Sequence, residues 1–181
     1  MTVRFVTGNE GKVREAGEYL TEAVEQVDYD YPEIQADDVG VIASRGAREA
    51  FADLGGEEGV VVDDTGLSVE ALGGFPGPYS AYVEDTLGIE AIPRLLEDDA
   101  DRRARFRTVV AYADGEGVET FEGSVGGTIV SPRGEDGFGY DPVFEYDGRT
   151  FAEMSTAEKN AVSHRGRALE AFAEWYAGRE R

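Results

Sequence analysis

Cysteine is absent from the 181-residue chain, which excludes disulfides and thiolate metal sites. Histidine occurs once, as His164, so a multi-histidine zinc or iron centre is excluded too. Any metal must be held by oxygen ligands, as Mg2+, Mn2+ and Ca2+ are. Long apolar runs are missing. The longest is Val109 to Ala113, far short of the roughly 20 residues of a membrane-spanning helix. The first residues lack the basic-then-apolar order of a secretory leader, so a soluble cytoplasmic protein is expected. Lysine is nearly absent: of 17 cationic residues only Lys12 and Lys159 are lysine, and 38 acidic residues bring the net charge to −21. Binding a nucleic-acid polymer needs a basic stripe, and none is visible. An anionic membrane surface is disfavoured for the same reason. The acidic excess, with clusters such as Glu97-Asp98-Asp99, reads as a solvated surface suited to high salt, where counter-ions screen self-repulsion; an acidic interaction surface is the alternative. Under either reading the two retained lysines need a reason.

A chain of this length hides roughly 70% of its unfolded surface, enough for a real core. One domain over residues 1–181 is expected. Thr2 to Thr7 alternates and is rich in β-formers, which predicts a strand, and the following pattern predicts a helix to Leu20. Val24 to Asp30 reads as a second strand and Val39 to Leu54 as a helix. Gly59 to Asp64, with three consecutive valines, reads as a buried strand ending in two carboxylates, and Leu67 to Leu72 as another short strand. Thr86 to Leu96 is helical in part, with Pro93 limiting it. Long strands over Arg103 to Ala113 and Val118 to Val130 flank a turn, and Val143 to Glu145 is a last strand. Ser155-Thr156-Ala157-Glu158 has capping-box spacing and opens a helical stretch to about Tyr176. Alternating strands and helices followed by paired long strands indicate an α/β fold with a mixed sheet, able to split into two lobes with a groove between them.

Four clusters carry chemistry-bearing side chains. Thr7-Gly8-Asn9-Glu10-Gly11-Lys12 joins a strand directly to a helix start, where backbone N–H groups meet anions. It is not a Walker loop, because Val6 and Val13 stand where Gly and Ser/Thr are required; an ordinary turn with a surface lysine is the alternative. Asp63 and Asp64 face opposite sides of a strand. Asp64, read as the terminal residue, is the better candidate for a site, because ligands gather beyond strand carboxyl ends; an acidic turn accepting backbone bonds is the alternative. Gly137 to Pro142 sets two aromatics on a glycine-flanked loop, suited to stacking on a planar base or to packing into the core, and Asp141 either accepts from a ligand or fixes the loop. Lys159, His164 and Arg165 gather in the last cluster. On one unbroken helix Lys159 and His164 would point about 140° apart. A break near Asn160, with Ser163 capping a second helix, lets them converge. His164 is otherwise a satisfied structural histidine.

Together and in this order these pieces resemble the inosine/xanthosine triphosphate pyrophosphatases, the Ham1-like family. The matching stretches are T-G-N-E-G-K at 7–12, P-E-I-Q at 32–35, V-D-D-T-G-L at 62–67, A-L-G-G-F-P-G-P-Y-S-A at 71–81, G-F-G-Y-D-P-V-F at 137–144 and A-E-K-N-A-V-S-H-R at 157–165, so the resemblance spans essentially the whole chain. It implies an elongated α/β fold with a mixed sheet and two lobes around a central active-site cleft, a homodimer, and Mg2+-assisted hydrolysis of purine nucleoside triphosphates with a 6-oxo base (ITP, dITP, XTP) to monophosphate and pyrophosphate. Carried over, Thr7, Gly8, Asn9, Glu10, Gly11 and Lys12 bind the triphosphate, and Glu33 and Asp64 hold the metal. Asp64 is also the base toward water, attacking at the α-phosphorus. Thr65 contacts substrate, and Phe138, Gly139, Tyr140 and Asp141 hold the nucleoside. Lys159, His164 and Arg165 complete the phosphate and base contacts. Arg45 stands where some members carry a nucleotide-contacting lysine; it keeps the charge but not the geometry. The lysine that eukaryotic members carry near Ala81 is absent. A polyanionic substrate needs a locally basic pocket in so acidic a protein, and Lys12, Lys159, Arg165 and Arg45 are expected to supply it. Adenine is rejected by donors facing O6, which its amino group leaves unpaired.

Overall fold

The computed structural model describes residues 2–29, 34–98 and 101–179. Among them lie the strands β1 (Thr2–Val6), β2 (Ala23–Val27), β3 (Val60–Val69), β4 (Pro76–Gly77), β5 (Arg103–Asp114), β6 (Gly117–Ile129), β7 (Phe144–Tyr146) and β8 (Arg149–Thr150). The helices are α1 (Glu10–Tyr19), α2 (Val39–Asp53), α3 (Ser80–Leu87), α4 (Ala91–Leu95), α5 (Thr156–Val162) and α6 (His164–Arg179). The sheet runs β2-β1-β3-β5-β6-β7-β8, with β4 paired to β3. β1 is parallel to both β2 and β3, while β3–β4, β6–β7 and β7–β8 are antiparallel, so the sheet is mixed.

Two compact units divide the chain. The first comprises residues 1–64, 108–123 and 165–181. Its central strands, β1 and the parts of β3 and β5 it contains, are largely buried on both faces, which is why they read as near-continuous apolar runs. Val3, Phe5, Val61, Val110 and Tyr112 share one face with Ala16 and Leu20 of the α1 segment and Ala168, Leu169, Phe172 and Tyr176 of α6. The alternate residues Val6, Val60, Val62, Val109, Ala111 and Ala113 meet Val39, Ala43, Ala47 and Ala50 of α2. Alanine at these helical positions lets α2 lie close to the sheet. Burying a ring such as Phe5, 1% exposed, is worth about 2–3 kcal/mol. Arg179 closes the far end of α6 onto the hairpin, 2.6 Å from Asp114 and over the Trp175 ring.

The second unit comprises residues 65–107 and 124–164. Its core is aromatic: Phe106 lies 4.5 Å from Phe144, and Phe144 5.0 Å from Phe151, both pairs tilted. Leu67, Val83, Ile92, Leu96, Ile129 and Tyr140 surround them.

Two expectations change. No second strand begins at Leu67, because β3 continues through Asp63, Asp64 and Thr65 to Val69. The antiparallel pairing of Leu67 and Ser68 with β4 and the bond from Leu67 N–H to Ser80 Oγ hold it extended. Asp64 is therefore mid-strand rather than terminal. The helix expected from Thr86 starts at Ser80 and stops at Gly88, whose φ of 76° ends it; α4 is separate. The last helical stretch breaks at Ser163, whose ψ of 157° is extended, three residues beyond Asn160, and the second helix starts directly after Ser163, as expected.

Candidate active site

In the first unit the Thr7–Lys12 segment organises itself. Asn9 caps α1, its Oδ1 accepting from Gly11 N–H at 2.8 Å, and Thr7 Oγ1 accepts from Asn9 N–H at 3.1 Å. Glu10, in the first turn, complements the helix dipole. The helix then presents Lys12 and Glu15, three residues apart, on one side. Lys12 Nζ donates to Asp63 Oδ1 at 2.8 Å. Arg165, in the first turn of α6, donates through Nε to the other oxygen of Asp63 at 3.0 Å and through Nη1 to Glu15 Oε2 at 3.1 Å. The four side chains form a buried chain of alternating charge, and only Lys12, 20% exposed, reaches solvent appreciably. Burial pushes the Asp63 carboxyl up, but Lys12 and Arg165 outweigh it and hold it below the ordinary carboxylate range. Burial likewise works against the Arg165 charge, and Asp63 and Glu15 overcome it.

In the second unit one carboxylate locks the aromatic loop. Asp141, 3% exposed, accepts through Oδ2 from Phe138 N–H at 2.9 Å and from Lys159 Nζ at 2.6 Å. Gly137 permits this: its φ is 82°, and a Cβ there would collide with Asp141 Oδ2. Lys159 lies in the last turn of α5, which the Ser155–Glu158 capping box starts, and its ammonium sits 4.2 Å from the centroid of the Phe138 ring. That ring remains 38% exposed. Tyr140 turns inward and donates to Ser80 O at 2.8 Å. Of the two loop aromatics, then, Phe138 is presented and Tyr140 is core.

The other expected residues are distributed as follows. His164 is buried and stacked on Phe106, with centroids 4.5 Å apart and planes at 14°. Lys159 meets Asp141 and Phe138, and His164 packs on Phe106 and Phe151. Arg45 lies on the exposed side of α2 and pairs with Glu49 at 2.7 Å. Thr65 is half-buried in β3, and Gly139 follows Phe138 in the loop with a φ of 60°. Glu33 falls outside the described residues. Lys12, Lys159 and Arg165 each pair with a carboxylate, because a buried cation without a counter-charge is far costlier than a paired one. Asp63 and Glu15 are the partners not anticipated. The i,i+3 spacing of Lys12 and Glu15 was a visible signal for one of them; for Asp63 there was only the alternation that turns it away from Asp64.

Asp63 is committed to the network, which leaves Asp64 as the β3 carboxylate for a metal. Asp64 is half-buried, and its Oδ2 is out of contact with solvent. Among the described residues no three His, Cys, Asp or Glu side chains gather into a metal cage. One carboxylate, with remaining positions left to phosphate oxygens and water, fits Mg2+, which rarely takes an all-protein cage.

Known proteins are similar to this chain along nearly its whole length. A dITP/XTP pyrophosphatase of Methanopyrus kandleri is 52% identical over 97% of this chain and 96% of its own length. One from Thermococcus kodakarensis is 50% identical over 97% of each. The solved structure of a HAM1 protein from Coxiella burnetii superposes with a TM-score of 0.84 at 30% identity, over 98% of this chain and 99% of that one. Residues 3–175, which include both the Lys12 network and the Asp141 clamp, match the family profile, and the chain is a member of the Ham1 family.

Proposed function

We propose that this protein hydrolyses dITP, ITP and XTP to the monophosphate and pyrophosphate, removing non-standard purines from the nucleotide pool. The observation that carries this reading is the Phe138 platform. An aromatic ring left partly open, with a lysine ammonium over it and its loop locked by a buried carboxylate, suits a planar base bearing a carbonyl. Lys12 supplies the charge for the phosphates. One of its protons is held by Asp63, and Lys12 is the most exposed side chain of the network. Arg165, 4% exposed, acts by holding Asp63 in place. Asp64 takes the proton of the water that attacks the α-phosphorus. The bond from that phosphorus to the bridging oxygen breaks, and pyrophosphate leaves. Asp64 and, as the family resemblance implies, Glu33 would hold Mg2+, which would supply charge neutralisation on the triphosphate.

We place the enzyme in the cytoplasm as a homodimer. No helix among the described residues is long and apolar enough to cross a membrane. Tyr82 and Leu87 of α3 are 69% and 64% exposed, apolar side chains that contact with a second copy would cover.

Product analysis on a panel of nucleoside triphosphates with Mg2+ tests the activity. Pyrophosphate release from ITP and XTP, lost in Asp64→Asn while nucleotide binding survives, is the expected result. Orthophosphate as the product, or faster turnover of pyrimidine nucleotides, would refute it.

A further inference from the structure

The loop that carries Phe138 is flanked by a second carboxyl that none of the roles above uses. Glu84 lies one turn into α3, and its Oε2 stands 3.5 Å from where a Cβ on Gly139 would be. Tyr140 ties this loop to the same helix through Ser80. The two carboxyls of this corner differ in charge balance. Asp141 is neutralised by Lys159 at 2.6 Å. Glu84 makes no side-chain hydrogen bond or ion pair among the described residues. The charged groups that raise its pKa beyond the effect of burial are both negative, Asp85 from its own helix and Asp141 from the loop. Its charge in turn reaches the loop, adding to burial in holding the Tyr140 hydroxyl above its ordinary range.

We propose that Glu84 is a specificity-determining residue that favours a hypoxanthine over a xanthine nucleotide at the Phe138 platform, an inference that rests on the nucleotide reading above. The two bases differ in charge. The xanthine of a nucleotide loses its N3 proton around neutral pH and becomes an anion, whereas hypoxanthine keeps its N1 proton and stays neutral. A carboxylate without a counter-charge beside the platform repels the first and not the second. Lys159 does not cancel it, because that charge is spent on Asp141. At the separations of a base and its flanking side chains, like-charge repulsion at a partly exposed site corresponds to about a five-fold bias.

The test compares kcat/KM for XTP and for ITP, both with Mg2+ near pH 8, in the unaltered enzyme and in Glu84→Gln, which keeps the shape and removes the charge. The XTP-to-ITP ratio is expected to rise about five-fold in Glu84→Gln and further in Glu84→Lys. An unchanged ratio in both variants, or a ratio that moves without regard to the sign of charge, overturns the proposal. Glu84→Gln breaks no hydrogen bond among the described residues, so it is expected to fold, and its thermal melt checks this. A failure of the nucleotide reading looks different: the unaltered enzyme then releases pyrophosphate from neither substrate.

Discussion

Asp63→Asn tests the buried network most sharply. The substitution keeps the shape of the side chain and removes the charge that Lys12, at 2.8 Å, and Arg165, at 3.0 Å, both use. One carboxylate oxygen becomes an amide N–H that points at a donor, so an ammonium or a guanidinium proton loses its acceptor. With Asp63 1% and Arg165 4% exposed, water cannot replace it. Breaking such a pair from one side costs about 3–5 kcal/mol. In a chain of this size each kcal/mol moves Tm by about 2–4 °C, so a fall on the order of 10 °C is expected. The measurement is urea and thermal unfolding of Asp63→Asn beside Glu90→Gln. The latter breaks an exposed pair with Arg94, at 67% and 59% exposure, and should cost about 1 kcal/mol or less. The gap between Asp63→Asn and the unaltered protein has a defined pH dependence. Because the folded Asp63 pKa lies below its ordinary value, the unfolded chain takes up the proton first on acidification. The contribution is complete above the ordinary carboxylate range and is lost as pH falls through the folded value. The gap therefore closes in acid. A variant as stable as Glu90→Gln, or a gap that widens in acid, would refute the reasoning.

Asp141→Ala removes the shared acceptor of Phe138 N–H and Lys159. Amide exchange at Phe138 is expected to accelerate by about ten-fold or more, and unchanged protection would mean that something else holds the loop. Unfolding followed across KCl concentration should show stability rising with salt, since a net charge of −21 repels itself less when screened; greatest stability at low salt contradicts the high-salt reading of the surface.

Much of the fold was legible because its signals are local. The valine run of β3, the β5 and β6 strands and the Ser155 capping box all appear where periodicity and cap chemistry put them. The failures were also local in form but tertiary in cause. Nothing in Asp63-Asp64-Thr65-Gly66 says that a strand continues; the pairing with Pro76 and Gly77 and the Ser80 hydroxyl, distant in sequence, say so. The scarcity of lysine marked Lys12 and Lys159 as special, and both stand in the ion pairs of the candidate site.

By itself the sequence determined the kinds of chemistry open to this protein: oxygen-ligand metals only, two lysines, one histidine, an acidic exterior and a glycine-flanked aromatic loop. Tertiary structure alone decided how the charges pair. Asp63 meets Arg165 across 102 positions and Glu15 meets it across 150. Ion pairing depends on distance and burial in space, and neither is written in the order of residues.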